Sequence, residues 1–112
     1  MQPTRSISAL PLPVRRALRK LGADIATARK RRRITMELMA ERAMTSRQTI
    51  GRLERGDPVV SVAIVATVLF VLGMTERLAE LVDATADPVG LDLDEARLPK
   101  RVRAASPKPR TQ

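Results

Sequence analysis

The chain has 112 residues, no cysteine, histidine, tryptophan or tyrosine, one phenylalanine (Phe70) and a formal net charge of +9. That length suits one small domain, of a size that often gains stability by oligomerising. The missing cysteines exclude a disulfide framework and a thiolate metal site, the missing histidines remove the commonest general base and metal ligand, and the near-absence of aromatics disfavours an OB-fold or an RNA-recognition sheet.

Charge is unevenly spread. Residues 1–33 carry +9, residues 34–56 carry +1, residues 57–98 carry −6 and residues 99–112 carry +5. A basic face is the footprint of a polyanionic partner, though charge alone describes a solvated basic surface equally well.

Residues 1–12 (MQPTRSISALPL) lack periodicity and read as a flexible arm. The short apolar patch after Arg5 is broken by Pro11 and Pro13, unlike a secretory signal, so the expected compartment is the cytoplasm, in association with the nucleoid. Pro13 suits the first turn of a helix. Val14, Leu18, Leu21, Ile25 and Ala28 then form one apolar stripe. Gly22 interrupts it at about 1 kcal/mol relative to alanine. The five cations from Arg29 to Arg33 suit a helix C-terminus, and could also meet phosphate.

The stretch 35–56, TMELMAERAMTSRQTIGRLERG, reads as two short helices around a tight turn. Thr35 caps the first and Ser46 the second. Met39, Ala40 and Ala43 face inward on one helix, Ile50 and Leu53 on the other, and Gly56 with Asp57-Pro58 stops the chain. The outward face then carries Arg47, Gln48, Thr49, Gly51 and Arg52. Arginine can bond guanine bidentately, glutamine can bond adenine, and a threonine methyl can touch thymine.

This spacing, with LGADIATARKRR before it and SRQTIGRLERG within it, resembles the helix-turn-helix of lambda-repressor/Cro-like (Xre) transcriptional regulators, from about Leu21 to Leu81. The resemblance implies an all-α, five-helix DNA-binding domain over residues 13–83. It implies base reading by Arg47, Gln48, Thr49 and Arg52, and DNA-backbone contacts by Arg31, Arg32, Arg33, Thr35, Ser46, Gly51 and Arg55. It also implies an ion pair of Arg29 with Glu54 that joins the first helix to the recognition helix. Two positions depart from the family pattern. Met44 stands where the turn usually has glycine, and Met36 where a phosphate-binding glutamine is common; the Thr35 hydroxyl or helix-start N–H groups could substitute for the latter.

Residues 58–75 carry no charge. A membrane span needs about 20 apolar residues, so this run is short for one; its valines and isoleucines would also suit strands. Ser61 as N-cap and Gly73 as stop instead frame a fourth helix, with Val62, Val65, Val68 and Leu72 toward the core. Ile64, Phe70 and Val71 then predict a second buried surface, a homodimer interface; the alternative is an oversized core closed by later segments. Thr75 begins a fifth helix with Leu78, Leu81 and Val82 inward. Residues 84–98 form an extension, a loop to Gly90 and then either strand or short helix. Residues 99–112, with three prolines and five cations, read as a disordered basic tail.

The expected function is a dimeric, sequence-specific regulator of double-stranded DNA, a repressor on a palindromic operator. LPLPVRRALRKLG, the apolar fourth helix and RLPKRVR resemble HipB-type antitoxins, which implies a HipA-like kinase toxin as partner. The alternatives are a solitary regulator and a non-specific architectural nucleic-acid binder. Glu37 and Glu41 read as ordinary exposed charges, so no enzyme, cofactor or metal site is expected.

Overall fold

The computed structural model describes the backbone of residues 9–105 and the side chains of residues 9–97. Every regular element among them is helical: α1 (Leu12–Arg31), α2 (Met36–Arg42), α3 (Arg47–Glu54), α4 (Val62–Val71), α5 (Thr75–Ala79), a 3-10 turn (Ala84–Ala86) and α6 (Pro88–Ala105). The all-α class that the family resemblance implies is the one observed among the described residues. The chain divides into two units at Leu78 and Ala79, whereas the sequence places that boundary after residue 83.

In the first unit, α1 starts where the Pro11 carbonyl accepts the N–H groups of Val14 and Arg15. It runs unbroken through Gly22, so the predicted interruption is absent. Only part of the predicted stripe is used: Val14 is exposed, Leu18 and Leu21 are half-buried, and Ile25 and Ala28 are buried. The arm expected over residues 1–12 lies mostly outside the described residues, and α1 already begins at its last residue.

Four helices end in the same way. After α1, Arg33 N–H reaches the Lys30 carbonyl and Ile34 N–H the Arg29 carbonyl. After α2, Met44 bonds back to Glu41 and Thr45 to Ala40; after α3, Gly56 to Leu53 and Asp57 to Arg52; after α4, Gly73 to Phe70 and Met74 to Leu69. This paired closure satisfies the last carbonyls and needs a left-handed residue just past the helix. Gly56 and Gly73 provide it at φ 83° and 79°, but Arg33 and Met44 adopt it with side chains, at φ 56° and 59°. Met44 therefore takes the left-handed conformation that glycine usually supplies in this turn.

The core of this unit joins Ile25 and Ala28 of α1, Ile34 of the connection, Met39, Ala40 and Ala43 of α2 and its cap, Ile50 and Leu53 of α3, and Val68 and Leu72 of α4 with its cap. Met39, Ile50 and Val68 are fully enclosed, and burying such a side chain stabilises the fold by about 1.5–3 kcal/mol. Ser61 caps α4, its Oγ accepting the Ile64 N–H at 3.2 Å. Of the residues predicted inward on the apolar helix, Val68 and Leu72 are buried and Val65 packs against the core. Val62, expected in the core, is 75% exposed, while Leu69, not expected there, is buried. Ile64 and Val71 pack against the core together with Val65. Of the three residues predicted for a dimer interface, Phe70 alone stands open, at 70% exposure.

In the second unit, Leu81 and Val82 are exposed rather than inward. Asp83 caps the 3-10 turn through the Thr85 N–H at 2.9 Å. Asp87 Oδ1 accepts the Gly90 N–H at 3.1 Å, and Pro88 occupies the first helical position, where a missing N–H does no harm. An acidic cap followed by proline is a helix start, where the sequence suggests a loop to Gly90. A disordered tail is expected from residue 99, but α6 carries the backbone through Pro99 to Ala105. Residues 106–112 lie outside the described residues. Among the described residues, no helix is long and apolar enough to cross a membrane.

Candidate nucleic-acid interface

The recognition helix α3 is set by its buried side. Ile50 and Leu53 anchor it to α1, α2 and α4 through the shared core. Arg47, Gln48 and Arg55 are left exposed and Arg52 half-exposed. These four fall within one side of the helix, opposite the Ile50–Leu53 edge. Arg55, predicted for the DNA backbone, therefore shares the face of the predicted base readers.

Two hydroxyls fix the helix starts. Thr35 Oγ1 accepts the Leu38 N–H at 3.0 Å, and Ser46 Oγ accepts the Thr49 N–H at 3.1 Å. Thr49, predicted to read a base, lies half-buried at the edge of the face with its hydroxyl 2.9 Å from Ser46 Oγ. Gly51, predicted at a phosphate, is buried; an added Cβ there would meet Arg55 Nη1 at 3.3 Å and Met36 Cε at 3.4 Å. The Arg55 guanidinium and the Met36 methyl thus both lie over Gly51.

The predicted pair of Arg29 and Glu54 is present and bidentate. Nε donates to Oε2 at 2.7 Å and Nη2 to Oε1 at 3.0 Å, while Nη1 donates to the Ile34 carbonyl at 2.9 Å. Both side chains are about nine-tenths buried. The hydrogen bond to Glu54 raises the Arg29 pKa against the opposing effect of burial, so the guanidinium stays charged. The pair closes the last turn of α1 and fastens it to the end of α3. The backbones touch nearby as well: a Cβ on Gly22 would collide with the Leu53 and Glu54 carbonyls, and one on Gly56 with the Arg19 backbone. The periodicity of α1 gives no hint of this close approach.

Around this frame stand the cations at and just beyond the end of α1. Arg31, Arg32 and Arg33 are exposed, and Arg32 Nη1 donates to the Ala28 carbonyl at 2.8 Å, capping the helix end. Two acids outside the predicted site hold its arginines. Arg47 Nε donates to Glu37 Oε2 at 2.7 Å, and Arg52 Nε donates to Asp57 Oδ2 at 3.0 Å. Asp57 also accepts the Val59 N–H at 2.9 Å; that bond first, and Arg52 second, hold its carboxyl below the ordinary range. Glu37 is likewise lowered, first by its own backbone N–H against the opposing effect of burial, and to a lesser degree by Arg47. Asp57 follows Arg52 by five residues across the helix stop, a spacing visible in the sequence. Glu37 reaches Arg47 only through the turn.

Among the described residues, no group of three or more acidic side chains stands together as a metal site. Residues 20–98 match a family model described as a helix-turn-helix domain, from the middle of α1 into α6 and over well more than half of the chain. No curated protein and no solved structure matches the chain.

Proposed function

As this chain belongs to the helix-turn-helix domain family, we propose that it is a sequence-specific, double-stranded DNA-binding transcriptional repressor that acts as a dimer on a palindromic operator. The observation that carries this reading is the outer side of α3. Arg47, Gln48, Arg52 and Arg55 are accessible there, while Ile50 and Leu53 are enclosed on the other side. Arginine and glutamine are the side chains suited to bidentate contacts with guanine and adenine in the major groove. Arg31 and Arg33, with the N–H groups at the starts of α2 and α3, supply phosphate contacts that add affinity without sequence information.

Dimerisation rests on the open side of α4. Val62, Ala63 and Phe70 are exposed, and the Thr67 hydroxyl donates into its own helix, to the Ala63 carbonyl at 2.8 Å. That side therefore offers apolar surface and little free hydrogen-bonding capacity. Two copies related by a two-fold axis would set both recognition helices in successive major grooves, about 34 Å apart.

Selection of bound sites from random duplexes tests the reading. The expected product is a palindrome with half-sites one helical turn apart, and Arg47→Ala or Arg52→Ala should relax preference at one position per half-site. Equal affinity for every duplex would instead identify a non-specific architectural binder.

The resemblance to HipB-type antitoxins adds a HipA-like kinase toxin as partner. The second unit favours it: Leu81, Val82, Val89 and Leu93 stand exposed in a segment carrying Glu80, Asp83, Asp92 and Asp94. Stable co-purification with the product of a neighbouring gene is the expected result; its absence would leave a solitary regulator.

A further inference from the structure

Resting on the DNA-reading role of α3, we propose that Glu37 is a specificity-determining positioning residue: it touches no base, but holds Arg47 by its Nε so that the Nη end is presented to a guanine edge. The two residues lie on different helices, and both are exposed on the open side of the motif. The 2.7 Å bond engages Nε and leaves both Nη groups without a protein acceptor among the described residues. Those two groups form the end of the guanidinium fork that fits O6 and N7 of guanine.

Two physical effects follow. A free arginine side chain must be immobilised when it docks, at a cost in rotamer freedom; an arginine already held by Glu37 has lost part of that freedom. An arginine at a groove edge can also bond a phosphate, a contact that carries no sequence information. The Glu37 carboxylate repels phosphate from that position and leaves the base edge as the better partner, which is discrimination against the wrong contact. An exposed ion pair of this kind adds little to stability, so its effect falls on recognition rather than on folding. The arrangement recurs at the other end of α3, where Asp57 holds Arg52 by the same nitrogen at 3.0 Å. Asp57 also ties down the following turn through Val59, which makes Glu37 the cleaner position to alter.

The experiment compares wild type, Glu37→Ala, Glu37→Gln, Arg47→Ala and the Glu37→Ala/Arg47→Ala double variant, all as full chains. Affinity is measured for the selected operator, for the operator with the guanine read by Arg47 replaced, and for unrelated duplex. Glu37→Ala should lose about three- to tenfold of the preference for guanine, with affinity for unrelated duplex unchanged or raised because a negative charge is gone. Glu37→Gln, which retains an oxygen acceptor, should keep an intermediate preference. In the Arg47→Ala background, removing Glu37 should change base preference no further. A mere loss of folding would weaken all duplexes together, and thermal melting reports it separately. If Glu37→Ala keeps the wild-type preference, or reduces it equally with and without Arg47, the inference is overturned while the DNA-reading role stands. If wild type itself binds every duplex equally, the DNA-reading role fails and this inference fails with it.

Discussion

Gly22 lies directly against the end of the recognition helix: a methyl group built on it would stand 2.5 Å from the Leu53 carbonyl oxygen and 2.6 Å from that of Glu54. Helix propensity alone predicts that Gly22→Ala stabilises the protein by about 1 kcal/mol. The geometry predicts the opposite sign. The colliding atoms are backbone carbonyls that cannot rotate aside, so α1 and α3 must separate, with a loss of about 1–3 kcal/mol or more. Chemical denaturation of Gly22→Ala measures it, and a gain in stability would refute the close approach.

Met44 offers the converse case. It holds φ 59° at the turn between α2 and α3 and its side chain is 88% exposed, so replacing it sacrifices almost no packing. A left-handed L-residue is strained by about 1–2 kcal/mol, partly offset in glycine by its greater unfolded-state freedom. Met44→Gly should therefore raise stability by about 0.5–1 kcal/mol, seen as a higher urea midpoint at unchanged slope. A lower midpoint would mean that the left-handed turn is not strained.

These two residues show where sequence reasoning reaches and where it stops. The helix-turn-helix was legible because its constraints are local: Thr35 and Ser46 at the caps, Ile50 and Leu53 three apart, and glycine at the stop. The Arg29–Glu54 pair was available only through family resemblance, because 25 residues separate the partners. The importance of Gly22 was hidden, since a glycine tolerated in a helix and one required by a neighbouring backbone look alike in one dimension. The burial of Leu69 in place of Val62 on α4 was hidden for a related reason. A helix apolar on every side has no hydrophobic direction, so Val62 and Leu69 were equally eligible for the core. Beyond Leu78, Asp87-Pro88 carried a helix-start signal that the reading of Pro88 as a loop residue concealed.

Glu54→Ala tests the buried pair. Removing the carboxylate leaves the Arg29 guanidinium enclosed, with only the Ile34 carbonyl as acceptor. An unpaired buried charge costs about 3–5 kcal/mol, a large share of the stability of any small domain. Thermal melting should show a severe loss, with much of it recovered when Arg29 is replaced by methionine in the same chain. A near-neutral Glu54→Ala would mean that the pair contributes nothing to joining α1 and α3.

Acid should weaken the fold through Asp57. Its carboxyl is held below the ordinary range by the Val59 N–H and by Arg52. A carboxylate depressed in the folded state stabilises the protein above its unfolded pKa, and that contribution disappears as pH falls through the folded one. The relevant window therefore lies below about pH 4. Asp57→Asn should be less stable than wild type at neutral pH, with the difference shrinking on acidification. Parallel stability curves from pH 7 down through that window would contradict the assignment.

Phe70 separates the proposed dimer face from the core. Ile64 and Val71 were grouped with it on sequence grounds, yet both pack against the core while Phe70 is open. Phe70→Glu should leave helical content intact, because no buried contact is lost, but place two carboxylates opposite each other at a two-fold interface. Sedimentation should then show a monomer, and operator affinity should fall more steeply than affinity for a single half-site. Wild-type melting should rise with protein concentration, as mass action requires of a dimer, and Phe70→Glu melting should not. Ile64→Ala and Val71→Ala should instead lose about 1–3 kcal/mol of stability through lost packing, and still associate wherever they fold. If Phe70→Glu remains a dimer, the two copies meet through some other surface; if it fails to fold, Phe70 belongs to the core.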